Sequence, residues 1–150
     1  MICFKKILCP IDYSDSSFNA LKYAIEMTIK DSAVLFLMHV ADGHVFNYGG
    51  LKFETEHSPD SETIAIMEKK LRNNIPQEMR HLIKVETLIT VGTPVEVILT
   101  VARDKKADLI VMGTHGRTGI ANIVIGSVAG KVIGRAPCPV LCIRDRKNAG

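Results

Sequence analysis

The chain has 150 residues, a hydrophobic fraction of 47% and a charged fraction of 23%, as expected for one soluble globular domain spanning residues 1–150. Its net charge is only +3 and its aromatic fraction 5%, and without a basic stripe interleaved with aromatics we expect no nucleic-acid surface. No apolar run reaches membrane length and the first residues lead directly into a predicted strand, so we expect a cytoplasmic protein without signal peptide or membrane contact.

Continuous apolar runs, typical of strands, alternate with segments whose apolar residues recur at helical intervals. Residues 5–11 (KKILCPI) form the first predicted strand. Ser14-Asp15 can start a helix, since apolar residues follow at helical intervals. Residues 33–40 are almost entirely apolar, which is typical of a strand buried on both faces. The first forty residues therefore predict strand, helix and strand.

The middle of the chain is less regular. The polar, glycine-containing segment from Asp42 to Pro59 is too long and irregular for a tight connection, and it is either a disordered connection or a loop that selects a partner. A helix is predicted from about Ser61, and Pro76 interrupts its end. Residues 83–91 alternate apolar and polar near their start, which indicates a strand close to a sheet edge.

The last third begins with a clear helix start. Thr93-Pro94-Val95-Glu96 has the spacing of a capping box with proline at the first helical position. Residues 107–113 (ADLIVMG) then form a continuous apolar strand that ends in glycine. Helical spacing resumes from Ser127, and residues 139–143 (PVLCI) form a short strand expected at an edge. The alternation predicts an α/β fold, with an open parallel sheet and helices on both faces.

Glycines and a helix start follow the fourth predicted strand. Gly113 and Gly116 lie just past its end, and Gly126-Ser127 opens the last helix. Glycine lets backbone approach a ligand closely, and a helix start offers unpaired N–H groups and the positive end of the dipole. This pattern indicates an anion site.

Two other nucleotide motifs do not fit. The run Gly126 to Val132 has one residue too few between its glycines for a P-loop, and Val132 stands where the magnesium-binding Ser or Thr should be. The turn after the first strand contains no glycine, so the dinucleotide fingerprint is absent.

The spacing G-x2-G-x9-G-S, followed by a helix and a short strand, resembles the ATP-binding branch of the universal stress protein family. The opening KKILCPIDYSDSSFNALKYAIEMT, the strand LFLMHV, the segment VGTPVEVILTVARDKKADLIVMGTHG and the ending APCPVLCIR match that family in order and spacing. The resemblance covers the chain except for a divergent stretch at about 41–60. It implies a single Rossmann-like, open twisted sheet of five parallel strands in the order 3-2-1-4-5.

The resemblance also implies an ATP site in the crevice between the first and fourth strands. The implied binding residues are Pro10, Ile11, Asp12, Val40, Met112, Gly113, Gly116, Arg117, Gly126, Ser127 and Val128. Asp12 would face the adenosine, or would instead cap the first helix. Val40 would meet the adenine through its backbone, or would be an ordinary core valine. Arg117 would touch phosphate or remain solvated, and Ser127 would bind the ligand, cap its helix, or do both.

Two departures from the family pattern affect local shape. The turn after the first strand reads Asp12-Tyr13-Ser14 rather than Asp-Gly-Ser. Gly130 and Gly134 lie inside the last helix, each costing about 1 kcal/mol relative to alanine.

The implied function is that of a small ATP-binding module that responds to nucleotide in stress adaptation. Mg²⁺ would accompany the phosphates, although no carboxylate pair identifies a dedicated metal site. No residue is recognisable as a catalytic base, so little or no hydrolysis is expected. The alternatives are a slow ATPase or nucleotidyl-transferring enzyme on the same scaffold, and an interaction protein that has lost nucleotide binding.

Related proteins dimerise through the last strand, so the resemblance implies a homodimer. Its contact residues would be Pro139, Val140, Leu141, Cys142 and Ile143. An uncovered apolar edge strand favours such self-pairing. The four cysteines form no CxxC pair and are interpreted as small buried hydrophobic residues.

Overall fold

The structure, a computed structural model, describes residues 1–41, 45–48, 51–54, 59–115 and 125–145. The strands are β1 (Lys6–Pro10), β2 (Val34–Ala41), β3 (Val45–Tyr48), β4 (Leu51–Glu54), β5 (Lys84–Val91), β6 (Leu109–Gly113) and β7 (Val140–Ile143). The helices are α1 (Asp15–Asp31), α2 (Ser61–Asn73), α3 (Pro94–Asp104) and α4 (Ser127–Arg135), with one 3-10 turn at Gln77–Met79. Within these ranges no helix combines the length and apolar character that crossing a bilayer requires.

Five of these strands form one parallel sheet in the order β5-β2-β1-β6-β7. Numbered by their place along the chain, the parallel strands run 3-2-1-4-5, which confirms the predicted fold class. β5 and β7 lie at the two edges, as their sequences predicted. All residues of β5 are half-buried or exposed, as expected for a strand at the edge of the sheet.

The helices cover both faces of the sheet because its strands are apolar on both sides. On one face, Ile7 and Cys9 of β1 pack with Leu21 and Ile25 of α1, in a cluster that also includes Leu71 of α2. On the other face, the intervening Leu8 of β1 belongs to a second cluster. Members of that cluster from the other two helices are Ile98, Leu99, Ala129 and Val132. The sheet is therefore wound on both sides.

The connections diverge between β1 and β6. β1 leads into α1 on one face, whereas β6 leads to α4 on the other. The register between the two strands covers only Ile7–Leu109 and Leu8–Ile110, although β1 continues to Pro10 and β6 to Gly113. A crevice at the carboxyl edge of the sheet follows from this geometry, and in open parallel sheets ligands bind at such a point.

The divergent segment contains an antiparallel hairpin. Val45 of β3 pairs with Glu54 of β4, and Tyr48 pairs with Leu51. The expectation of an irregular connection was therefore wrong for these two strands. The signal was present in the sequence, because Gly49-Gly50 separates the two runs by two residues, the spacing of a tight hairpin.

The capping box expected at the start of α3 does not form. Pro94 is the first helical residue, as predicted, but Thr93 makes no side-chain cap hydrogen bond. The Glu96 carboxylate instead accepts two hydrogen bonds from Arg135 of α4, with Nη2 to Oε2 at 3.1 Å. A bidentate, charge-assisted pair is stronger than a hydrogen bond to a backbone amide, so Arg135 competes successfully for this carboxylate.

Candidate functional site

The ends of two strands and the starts of two helices meet at the crevice. The Gly126 N–H, at the start of α4, donates to the Thr114 carbonyl just after β6. The Thr114 N–H in turn donates to the Ile143 carbonyl at the end of β7, at 3.1 Å. On the opposite side, the Ser14 hydroxyl at the start of α1 lies 3.4 Å from the His115 carbonyl. The ends of β6 and β7 and the starts of α1 and α4 are therefore fixed to one another.

The turn after β1 is held by main-chain and side-chain hydrogen bonds. The Ile11 N–H donates to the Met38 carbonyl at 2.7 Å, and its side chain is buried in the core on the α1 face. Asp12 Oδ1 accepts from the Ser14 N–H at 2.9 Å and from the Ser14 hydroxyl. Ser14 Oγ accepts from the Ser17 N–H and caps α1. Asp12 thus organises the start of α1, and its role toward a ligand stays a prediction.

Tyr13 adopts a left-handed backbone conformation, with φ of 64°. A residue other than glycine is strained there by about 1–2 kcal/mol, and this is the position that the family pattern fills with glycine. The Tyr13 ring packs edge-on against His39, with centroids 4.8 Å apart, and against Phe18 at 6.1 Å. Aromatic packing therefore offsets the backbone strain of this turn.

Gly113 has a packing role that the sequence did not reveal. A Cβ at this position would lie 2.7 Å from the carbonyl carbon of Ser16 and 2.9 Å from its Cβ. Ser16 lies in the first turn of α1 and is buried. Only glycine lets α1 approach the end of β6 this closely, whether or not a ligand is bound.

The start of α4 presents backbone donors. Gly126 is the N-cap, with φ of −67° and ψ of 163°, and as a glycine it brings no capping side chain of its own. The first hydrogen bond within the helix runs from the Gly130 N–H to the Gly126 carbonyl, so the N–H groups of Ser127, Val128 and Ala129 precede the helical ladder. Ser127 is exposed and is the first helical residue rather than the cap. These amides lie at the positive end of the helix dipole.

The remaining predicted residues lie around the same crevice or outside the described residues. Pro10 ends β1 and Met112 lies near the end of β6, and Val40 lies near the end of the neighbouring β2, opposite Thr90 of β5. Val40 and Val128 are partly buried against the α3–α4 cluster. The structure therefore brings the described members of the predicted set to one edge of the sheet. Gly116 and Arg117 lie outside the described residues.

Metal and nucleophile chemistry find little support in the described ranges. These ranges hold no group of three His, Cys, Asp or Glu side chains able to bind a metal ion. Cys9 is buried, and burial raises the pKa of its thiol. Burial also raises the pKa of Cys138 and Cys142. Cys3 is exposed, so its interpretation as a buried residue was wrong. What the described edge of the sheet offers is backbone N–H groups at the start of α4, beside the point where β1 and β6 diverge.

The sequence did not reveal the hydrogen bond of His39. This residue of β2 is buried, with Nδ1 only 2.7 Å from the Ile11 carbonyl. Ser16 was not singled out at all, although it determines why Gly113 is glycine. Neither role has a local sequence signal, because each contact joins residues far apart in the chain.

Comparison with known proteins gives a consistent picture. The family model of the universal stress proteins matches residues 4–144. The universal stress protein MJ0531 of Methanocaldococcus jannaschii is 37% identical over 146 residues, covering 97% of this chain and 85% of the relative. A second protein of that organism, MJ0577, is 32% identical and covers 99% of both chains.

Solved structures share the fold. Universal stress protein UspA of Lactobacillus plantarum superposes with a TM-score of 0.75 at 24% identity, covering 96% of this chain and 100% of that one. A universal stress protein in complex with cAMP has a TM-score of 0.67 at 23% identity, covering 95% and 98%. One from Archaeoglobus fulgidus in complex with dAMP has a TM-score of 0.57 at 22% identity, covering 95% and 99%. With its sheet order and a family match over almost its whole length, the chain belongs to the universal stress protein family.

Proposed function

We propose that this chain binds ATP in the crevice between β1 and β6 and acts as a nucleotide-responsive module in stress adaptation. The observation that carries the proposal is the divergence of β1 and β6 after Leu8–Ile110, directly beside the glycine-capped start of α4. The crevice can take the apolar part of a nucleotide, while the α4 amides and dipole suit its phosphates. Adenosine would lie over the ends of β1 and β2.

The chemistry of the described residues fits a bound polyphosphate. The α1 and α2 starts are capped by the side chains of Ser14 and Asp60, whereas the cap of α4 is a glycine without a side-chain acceptor. An anion at α4 would therefore take the place that a capping side chain takes at the starts of α1 and α2. Two structures that share this fold are complexes with adenine nucleotides, cAMP and dAMP, which supports the choice of an adenine nucleotide.

Mg²⁺ would accompany ATP mainly through the phosphates and water. Efficient phosphoryl transfer also needs a placed nucleophile and a base. The carboxylate of Asp12, in the turn after β1, is hydrogen-bonded to the Ser14 main chain and hydroxyl. We therefore propose that ATP is bound and hydrolysed slowly or not at all, in the cytoplasm. ATPase activity well above background and abolished by Arg117→Ala would contradict this.

Calorimetric titration with ATP and MgCl₂ tests the site, after any co-purified nucleotide has been removed and identified. The test variant is Gly126→Val, because φ of −67° at Gly126 is allowed to any residue while the new side chain would stand over the α4 amides. The matched control is Gly134→Ala on the same helix, where the added Cβ would meet nothing within 4 Å beyond its chain neighbours and the backbone of its own helix. We expect wild type and G134A to bind and G126V to fold without binding.

Absence of binding in folded, nucleotide-free wild type would refute the ATP proposal. Equal binding by G126V would show that ATP does not bind at the start of α4.

We also propose a homodimer through β7. This strand is an edge of the sheet, its residues Val140–Ile143 carry no charge, and three of the four remain partly exposed. An apolar edge of this kind favours pairing with another strand. Light scattering at micromolar concentration should report a dimer, and Leu141→Lys should shift it toward monomer. A monomeric wild type would contradict the proposal.

A further inference from the structure

One buried polar contact outside the phosphate region joins β2 to the turn after β1. His39 of β2 is 3% exposed, and its Nδ1 lies 2.7 Å from the Ile11 carbonyl oxygen. A carbonyl oxygen can only accept, so Nδ1 carries the proton and donates. The hydrogen bond therefore fixes both the tautomer and the ring plane of His39, and it holds the carbonyl of the residue directly before Asp12.

The same ring supports the strained residue of the turn. The Tyr13 ring lies edge-on to His39, with centroids 4.8 Å apart, while the Tyr13 backbone has φ of 64°. Tyr13 also packs with Ala41 of β2 and Met67 of α2. Rotation of Tyr13 out of its left-handed conformation would pull the ring away from these neighbours. His39 thus contacts the turn at two points, through the Ile11 carbonyl and through the Tyr13 ring.

Asp12 lies between these two points. Its backbone is bounded by Ile11 on one side and Tyr13 on the other, and its Oδ1 accepts from the Ser14 N–H at 2.9 Å. A turn fixed on both sides leaves this carboxylate little freedom to change direction. Preorganisation of this kind reduces the ordering that a ligand must otherwise impose.

We propose that His39 is a positioning residue for the nucleotide site, setting the direction of the Ile11–Asp12–Tyr13 turn through its Nδ1–H donor. The effect of His39 on ATP affinity rests on the proposed nucleotide binding, whereas its effect on the turn does not. His39 acts through the turn, and its side chain is buried on the face of the sheet that α1 and α2 cover. Its removal should weaken ATP binding and loosen the turn even without nucleotide.

Three variants separate the donor from general packing. His39→Asn keeps an N–H donor near the position of Nδ1, whereas His39→Leu keeps similar bulk without a donor. Thr28→Val is the matched control, because Thr28 is buried and its hydroxyl donates to the Ala24 carbonyl at 2.7 Å, within α1 and away from the turn. Each protein is measured by ATP titration and by hydrogen exchange of nucleotide-free protein.

We expect H39L to bind ATP about tenfold more weakly, since one lost hydrogen bond corresponds to roughly that factor. Its Ser14 and Ser17 amides, which donate to Asp12 Oδ1 and Ser14 Oγ, should exchange faster. H39N and T28V should stay within about threefold of wild type in affinity, with the two amides protected. If His39 only filled space, H39N would not keep the ATP affinity and amide protection that H39L loses.

The proposal is overturned if H39L matches wild type in affinity and exchange, or if H39N is as impaired as H39L. Should H39L fail to fold, His39→Gln takes its place, because the longer side chain carries its amide beyond the Nδ1 position. If wild type binds no nucleotide, the ATP proposal fails by itself. The exchange rates of H39L and H39N then still decide whether His39 fixes the turn.

Discussion

Substitution of Gly113 by alanine tests whether the end of β6 and the start of α1 are packed as closely as the structure indicates. The added Cβ would lie 2.7 Å from the Ser16 carbonyl carbon, about 1 Å inside the usual carbon–carbon contact distance of roughly 3.5–4.0 Å. The obstacle is helix backbone, which cannot rotate aside as a side chain can. The first turn of α1 must therefore move.

The expected loss follows from the cost of overpacking a well-packed region. Such substitutions destabilise by about 1–3 kcal/mol. In a chain of 150 residues, each kcal/mol corresponds to about 2–4 °C in Tm. We therefore expect Gly113→Ala to lower Tm by about 5 °C, with an unchanged urea m-value, since the fold stays the same.

Thermal and urea unfolding of nucleotide-free protein, followed by circular dichroism, measure this loss without any contribution from a ligand. Gly134→Ala is the control: it adds the same methyl group to an exposed helix position, where it would meet nothing within 4 Å beyond its own helix backbone and chain neighbours, so it should stabilise by about 0.5–1 kcal/mol. A G113A protein as stable as wild type would refute the reasoning, because α1 would then yield without penalty.

Two further substitutions and one labelling experiment test other local features. Ser32→Gly should stabilise by about 1 kcal/mol, since Ser32 caps α1 with φ of 52°; a lower Tm would contradict this. The hydrogen bond from Arg135 lowers the pKa of Glu96 in the folded protein. The pair therefore stabilises the fold above the ordinary pKa of a glutamate, and this stabilisation is lost as pH falls through the lowered pKa of the folded protein. Wild type should therefore lose stability more steeply than Glu96→Gln between about pH 5 and pH 3 in urea titrations, and parallel curves would exclude the pair as the cause. A thiol reagent at neutral pH should label exposed Cys3 rapidly and buried Cys9, whose pKa burial raises, only after unfolding, as mass spectrometry would show.

The fold was readable from sequence because its signals are local. Strand β6 appears as the apolar run 107–113, and α1 as a stripe of apolar residues after Ser14, so each pattern depends only on near neighbours. The strand order came from the family resemblance and not from the patterns. The hairpin β3–β4 was missed because short strands in a polar segment leave only the Gly49-Gly50 spacing as evidence.

The candidate site was readable in position but not in detail. The sequence placed Asp12 and Gly126 at strand and helix ends, and the structure brings those ends to one edge of the sheet. The missing details are tertiary contacts. Glu96 had a plausible local partner in its own helix start, but Arg135, 39 residues away, competes successfully for it. Likewise, nothing near His39 in sequence reveals its hydrogen bond to Ile11, 28 residues away.

The positions of the motif do not all require glycine for the same physical reason. Gly113 is required by the approach of Ser16, at a distance that any side chain would violate. Gly126 has dihedral angles that every residue can adopt, so its backbone conformation does not require glycine. In our proposal, glycine at this position lets the phosphates approach the α4 amides. A motif match alone therefore does not separate the packing requirement at Gly113 from the binding role that we propose for Gly126. Stability measured for Gly113→Ala and affinity measured for Gly126→Val separate the two, because the first should change folding and the second should change binding in a folded protein.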